Sequence, residues 1–355
     1  MRKNLPHIAR VLLEWYAVHR RNLPWRLSRE PYLIWVSEII LQQTRVQQGL
    51  PYYQRFVGSF PDVASLAGAG EKEVLQLWQG LGYYSRARNM LQAAQQVMDE
   101  MEGAFPSDYR NLLRLKGVGE YTAAAVASIA GGEPVAVVDG NVIRVVSRLA
   151  GMDGDPGSKI FRQKIRLWME EAMVGLVPGD FNQAVMEFGA LQCLPRNPIC
   201  GNCPLQKYCR AYQEKRTDQL PSPKTRKAAR ERHLNFLVIS QLEEPGFYVF
   251  RKDNSIWKGL YLFPFLETPS ELAHHELPAT LARELKLDFR DFLLEKTYTD
   301  LVHILTHQRI LGRFFRLSLR EPFHHPRFPG LHYIKASQGS SVPMPRMMHK
   351  YLEGQ

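Results

Sequence analysis

Along the first part of the chain apolar residues return every three or four positions, as in Ile8, Val11, Leu12 and Trp15 and again in Val142, Val145, Val146 and Leu149. That period predicts helices, each with one buried stripe. Punctuation at Pro24, Pro31, Pro51, Gly58 to Pro61, Gly80 to Gly82, Gly103 to Pro106, Gly131 to Pro134 and Gly151 to Gly157 breaks the pattern into short units. Residues 6 to 192 therefore read as helices joined by brief connections. The stretch DQLPSPKTRKAARERH, with two prolines and five basic residues between 224 and 232, has no apolar helical face and marks a linker. Beyond it the period changes. HLNFLVIS, GFYVFRK and GLYLFPF are short, rich in β-branched and aromatic residues and bounded by Gly or Pro, as strands are. LPATLARELKLDF predicts a helix, and HILTHQRILGRFFRLSL returns to strand-like alternation. The pattern thus predicts a mostly α domain over residues 1–212, a basic linker over 213–232 and a smaller α/β domain over 233–355.

Composition narrows the partners. Forty-six Lys and Arg face thirty-five Asp and Glu, a net charge of +11, which biases the partner toward a polyanion such as nucleic acid. No apolar run approaches the roughly eighteen residues of a membrane span. The basic start is interrupted at once by Glu14 and is followed by no small-residue cleavage site, so it reads as a helix and the expected location is cytoplasmic. No apolar seam suggests self-association, and a monomer is expected. All four cysteines fall within seventeen positions, spaced Cys193-x6-Cys200-x2-Cys203-x5-Cys209. In a reducing compartment such a cluster reads as metal ligands rather than disulfides. A single tetrahedral zinc or a cubane iron–sulfur cluster both remain open, and the wide outer spacings favour the larger object. Arg196, Lys207 and Arg210 in the same segment suit a rigid staple on a phosphate-facing surface.

LKGVGEYTAAAVASIAGG places Gly117 and Gly119 directly before a good helix, where amides can hold an anion. Twenty residues past Gly119 comes PVAVVDGNVIRV. Asp139 at that helix start serves either as a cap or as a catalytic carboxylate, its ionised form favoured by the helix end. Hairpin, Val-Asp-Gly-Asn and cysteine loop together resemble the endonuclease III superfamily of DNA glycosylases over residues 1–212. The resemblance implies a helix-hairpin-helix DNA glycosylase fold with its hairpin at 112–130, and a 4Fe-4S cluster on Cys193, Cys200, Cys203 and Cys209 in an iron–sulfur loop at 193–209. It also makes Asp139 the essential aspartate.

PYLIWVSEIILQQTRV further resembles the MutY family of adenine glycosylases, as do GLGYYSRARN and MEFGALQC. Glu38 sits among Trp35, Val36, Ile39 and Ile40, company that should raise its pKa and let it protonate a leaving adenine. Its alternative is a buried ion pair with Arg26 or Arg45. Tyr121 stands where the strand-cleaving branch carries a Schiff-base lysine, so a monofunctional enzyme is expected. By the same resemblance Tyr121 and Asn141 support the reacting centre, while Arg26, Gln43, Thr44, Leu81, Tyr83, Gly117, Gly119 and Glu187 contact DNA or the base. Tyr83 and Tyr84 could instead be core aromatics, and Gln42 and Gln43 a solvated face. IWKGLYLFPF and PRMMHKYL are similar to the family's Nudix-like C-terminal domain, which reads 8-oxoguanine. The paired glutamates of an active Nudix pyrophosphatase do not follow Arg283-Glu284, so a reading domain is expected. Its sensing residues fall on Thr306 and His307, with Leu305 in place of the usual Phe. The implied substrate is double-stranded DNA with adenine opposite 8-oxoguanine or guanine. An endonuclease III-like glycosylase with lyase activity and a non-catalytic DNA-binding scaffold are the alternatives.

Overall fold

The structure, a computed structural model, describes residues 4–222, 230–242, 245–252, 256–286, 292–305, 308–335 and 342–354. Twelve helices come first among the described residues: α1 (Leu5–His19), α2 (Pro31–Leu41), α3 (Val46–Ser59), α4 (Val63–Ala67), α5 (Glu71–Leu77), α6 (Ser85–Glu100), α7 (Tyr109–Arg114), α8 (Glu120–Ile129), α9 (Gly140–Ala150), α10 (Lys159–Met173), α11 (Pro178–Leu191) and α12 (Arg210–Gln213). Then follow β1 (Arg230–Gln241), β2 (Gly246–Arg251), β3 (Tyr261–Leu262), β4 (Phe265–Thr268), α13 (Leu277–Leu285), β5 (Phe292–Ile304), β6 (Gln308–Leu319), β7 (His332–Lys335) and α14 (Arg346–Glu353). The change of period near residue 230 is thus a change from helices to sheet. Contacts divide the chain into two compact units, Met1–Ala69 with Arg88–Thr225, and Gly70–Ala87 with Arg226–Gln355. Among the described residues no helix is long and apolar enough to cross a membrane.

In the first unit the predicted stripes form the core. Ile8, Leu12 and Trp15 of α1 pack in one cluster with Val142, Val145, Val146 and Leu149 of α9 and with apolar residues of α10 and α11. Helix α2 is buried on all sides from Ile34 to Ile40, Glu38 included. Helices α7 and α8 form the hairpin, with Gly117 at φ +78 in the turn, where an added Cβ would meet Asn89 at 2.7 Å. Gly119 is the N-cap of α8 and leaves its first amides without a side-chain cap.

The run Val135 to Val138 has the composition of a strand but joins no sheet. Its backbone groups are satisfied by a side chain. Asn182 of α11, fully buried, accepts from the Val137 amide at 3.1 Å and donates to the Val135 carbonyl and to Ser128 Oγ, each at 2.9 Å. The start of α11 lies directly on the end of α8, because a Cβ at Gly179 would stand 2.7 Å from Ile129 Cα.

In the second unit β4-β1-β6-β5 form a four-stranded sheet in which β1 and β6 run parallel and the other pairs antiparallel. A second antiparallel sheet has the order β3-β2-β7. Phe236 of β1 stacks on Phe314 of β6 with ring centres 4.8 Å apart, and Tyr351 of α14 stacks on the same Phe314 at 4.5 Å. Residues 303–319, read as one strand-like stretch, are the end of β5 and the whole of β6. Thr306 and His307, between them, lie outside the described residues.

Two glycines test the packing. A Cβ at Gly179 meets backbone, which cannot swing aside, so Gly179→Ala should cost about 1–3 kcal/mol. Gly58→Ala, in α3 where a Cβ meets nothing within 4 Å, should instead gain up to ~1 kcal/mol from helix propensity. Urea unfolding of the two variants beside the parent protein measures both signs.

Candidate active site

One cavity of the first unit, about 1410 Å³ counted out to open solvent, is lined by Glu38, Tyr121, Asp139, Asn141, Arg26, Thr44 and Glu187 together with Arg21, Trp25 and Met186. Seven side chains singled out from four separate stretches of sequence thus share one space. Glu38 reaches it from the buried helix α2, Tyr121 from the first turn of α8, and Asp139 from the N-cap of α9.

Glu38 is 8 % exposed and accepts a hydrogen bond from Tyr121 Oη at 2.7 Å. Burial pushes its pKa up to about 7, helped by the charge of Asp139 and opposed by the tyrosine bond. Arg26, one of the two partners of the ion-pair alternative, directs its guanidinium to Glu187 instead. Tyr121 is held far above the ordinary phenol range, first by burial and then by the two carboxylates, so it remains a donor. Its hydroxyl also lies 3.8 Å from Met186 Sδ.

Asp139 is both a cap and a cavity wall. Its Oδ1 accepts from the Val142 amide at 2.7 Å and its Oδ2 from Asn141 Nδ2 at 2.8 Å. Those bonds and the charge of Arg144 pull its pKa down, yet burial outweighs them and the net direction is up. The helix end was expected to favour the ionised form; desolvation of the carboxyl is the stronger effect. Asn141 is fixed in turn by Arg144, whose Nη2 donates to Asn141 Oδ1 at 2.9 Å while its Nε donates to the Cys193 carbonyl at 2.8 Å. The close approach of α11 to α9 needs Gly189, where a Cβ would stand 2.6 Å from Asn141 Cβ.

Glu187, 1 % exposed, is gripped by two arginines. Arg21 donates to it from its amide and Nε at 2.9 Å and from Nη2 at 2.6 Å, and Arg26 from Nη1 at 3.0 Å and Nη2 at 2.8 Å. Burial raises its pKa, but these bonds prevail and bring it down to about 2. With five donors on its two oxygens, the carboxylate orients the guanidiniums at the cavity wall.

Other residues singled out from the sequence stand apart from the cavity lining. Gln43 is exposed in the turn before α3 at φ +58, while its neighbour Gln42 donates to Thr122 Oγ1 at 3.3 Å. Leu81 and Tyr83 belong to the second unit. Tyr84 is buried, whereas Tyr83 is 43 % exposed at φ +50. Sequence reasoning missed Arg21, Arg144 and Asn182. Arg144 follows Asn141 by three positions, one helical turn, a neighbour relation that could have singled it out; Arg21 carries no local signal.

The cysteines gather at a second place. Cys193, Cys200, Cys203 and Cys209 line one largely apolar cavity of about 400 Å³ with Arg148. Arg148 is 3 % exposed, and it donates to the carbonyls of Leu194, Pro195 and Leu220 and to Cys193 Sγ at 3.4 Å. No carboxylate pairs with it among the described residues, and a thiolate-bound cluster, which is net negative, would supply a counter-charge there. Four cysteines around one cavity beside a buried arginine fit such a cluster.

With this geometry in hand, the likeness to known proteins is specific. Residues 36–171 match the HhH-GPD superfamily of base excision DNA repair proteins, and residues 193–209 match the iron–sulfur binding domain of endonuclease III, so the loop is a 4Fe-4S site. An adenine DNA glycosylase of Buchnera aphidicola subsp. Schizaphis graminum is 32% identical over 97% of each chain. One of Mus musculus is 32% identical over 96% of this chain and 76% of its own. Among solved structures, a thermostable thymine-DNA glycosylase is 29% identical with a TM-score of 0.55, covering 60% of this chain and 98% of that one. A non-covalent endonuclease III–DNA complex, 20% identical with a TM-score of 0.53 over 61% of this chain and 98% of that one, shares the fold. Cavity, cysteine loop and end-to-end similarity agree, and the chain belongs to the adenine DNA glycosylase family.

Proposed function

We propose that this N-glycosylase releases adenine mispaired with 8-oxoguanine or guanine in double-stranded DNA, that it works as a monomer in the cytoplasm, and that it does not itself cut the strand. The observation that carries the reading is a buried carboxyl with a pKa near 7, Glu38, sharing one cavity with Asp139.

The adenine must leave the stack to reach such a cavity. Arg21 and Arg26, aligned by Glu187, face it there with Thr44 nearby. Glu38, protonated below about pH 7, donates its proton to a ring nitrogen of the base while Tyr121 keeps the carboxyl in place. Cleavage builds positive charge on the sugar. Asp139, pinned through both oxygens, stabilises that cation, and the Glu38 carboxylate then takes a proton from the attacking water. The 4Fe-4S cluster, when bound, supplies structural cross-linking of the 193–209 loop. Among the described residues no lysine lines the cavity, and Lys116 is exposed in the hairpin turn, so the covalent imine route lacks its amine there.

The uncapped amides of α8 beside Gly117 and Gly119 suit a DNA phosphate. Gln43 and Tyr83, both held in left-handed backbone at turns, are proposed to enter the duplex, with Leu81 beside Tyr83. The domain limits proposed are 1–212, 213–232 and 233–355, the last a Nudix-like domain that reads the base opposite adenine through Thr306 and His307. Glu284 there pairs with Arg283 and Arg327, which engages it away from metal chemistry.

Single-turnover assays on duplexes with adenine opposite 8-oxoguanine, guanine or thymine, each with and without alkali, test the assignment. Release opposite 8-oxoguanine and guanine with breaks only after alkali is expected; alkali-independent cutting would move the chain to the lyase branch, and no release would leave a scaffold. Release should also fall about tenfold per pH unit above pH 7, as the acid form of Glu38 is lost. Linkage adds a second readout. The fold binds this proton more tightly than the unfolded chain, whose carboxyl titrates near ~4.3. The group's contribution to stability is therefore complete below about pH 4 and is lost as pH rises through about 7. Glu38→Gln escapes that loss. It should reduce adenine release by at least ~100-fold yet melt higher than the parent protein at pH 8, the difference closing as pH falls to 4.

A further inference from the structure

The turn that carries Tyr83 is strained. Gly80, Gly82 and Tyr83 have φ of +94, +74 and +50, and a tyrosine in that region persists only where its surroundings hold it. Part of the hold is local. Trp78, fully buried, donates from Nε1 to the Gly82 carbonyl at 3.1 Å, and Arg86 donates to the same oxygen at 3.2 Å. The Arg86 guanidinium also lies over the Trp78 and Tyr83 rings, at 5.1 and 5.8 Å.

The rest comes from the far end of the chain, within the same compact unit. Tyr84 Oη donates to the Met344 carbonyl at 3.0 Å, and Gln79 Nε2 meets His349 Nε2 at 2.6 Å. These two contacts bracket the strained residues, one on each side. Their partners are themselves anchored. The Pro343 carbonyl accepts from the Tyr261 amide at 2.9 Å, Met344, Met347 and Met348 are buried, and Tyr351 stacks on Phe314 of the sheet. Gly312 makes room for Met347, since a Cβ there would meet its sulfur at 2.9 Å. A continuous set of contacts therefore runs from sheet to α14 to the turn.

We propose that residues 342–354 position the 79–84 turn for entry into DNA, with Tyr84, Gln79 and His349 as positioning residues for base extrusion. The proposal rests on the reading of Tyr83 as a wedge. In a paired duplex, the partner strand resists the turn, and a loosened turn yields before the base pair does. On an adenine that is already unpaired, the wedge has less to do. Loss of either bracket should thus slow release from paired adenine more than from unpaired adenine, a bias that mere loss of stability does not produce.

The test uses full-length, cluster-loaded Tyr84→Phe, His349→Ala and Tyr83→Ala proteins. Adenine release is timed from a guanine-opposed duplex and from a bubble holding the same adenine unpaired, and 2-aminopurine at the adenine position reports extrusion by fluorescence. Tyr84→Phe and His349→Ala should each slow extrusion and duplex release about tenfold, the scale of one buried hydrogen bond, with a clearly smaller loss on the bubble. The exchange Gln79→His with His349→Gln, which restores a donor–acceptor pair, should recover most of the rate lost in His349→Ala. If Tyr83→Ala shows the duplex-selective defect while Tyr84→Phe and His349→Ala match the parent protein, the positioning role is wrong and the wedge stands. If Tyr83→Ala itself shows no such selectivity, the wedge reading fails and this role falls with it. Equal losses on duplex and bubble in the two bracket variants, with a lowered melting temperature, would also overturn the proposal in favour of a general structural role.

Discussion

The side chain of Asn182 does for Val135 to Val138 what a neighbouring strand would have done. A buried extended segment must have its amides and carbonyls paired, at a cost of about 1–3 kcal/mol for each group left unmet. Here one amide side chain accepts once and donates twice, spanning the segment, α8 and α11. Because it is rigidly held, the segment delivers Asp139 to the start of α9 at a fixed height above the cavity. Gly189 lets α11 close on Asn141, and Arg144 ties Asn141 to the cysteine loop. Asp139 is thus fixed by hydrogen bonds that begin some distance from it.

Three carboxyl groups share the cavity and meet three different fates. Glu187 has five donors and is brought down to about 2; Asp139 has its two oxygens bonded by an amide and an asparagine and still moves up; Glu38, bonded by Tyr121, rises to about 7. Desolvation raises all three, and in Glu187 alone the donors overcome it. In the proposed reaction, acid and charge stabiliser are the same functional group in different company. Glu187, with both oxygens engaged, holds two cations at the wall.

Much of this was legible in sequence because the informative residues lie in short local patterns. The helical stripe of α1 and α9, the hairpin glycines, the cysteine spacing and the motifs around Glu38, Asp139 and Glu187 each fall within about twenty residues, and the cavity joins them. What remained hidden depends on pairs far apart in sequence. Arg21 meets Glu187 across 166 positions, and Asn182 meets Val137 across 45. The valine run has the composition of a strand, and composition cannot show that an asparagine will stand in for the missing partner. Membership of residues 70–87 in the second compact unit was equally invisible, because nothing within that stretch refers to its distant partners.

That discontinuity has a consequence in time. Gln79 and Tyr84 meet partners 270 and 260 positions later in the chain. A ribosome adding about 5–20 residues per second leaves the turn without those partners for tens of seconds after it emerges. Met344 and His349 therefore complete a turn that was made among the first hundred residues, and the turn gains these two contacts only after 260 or more further residues have been added.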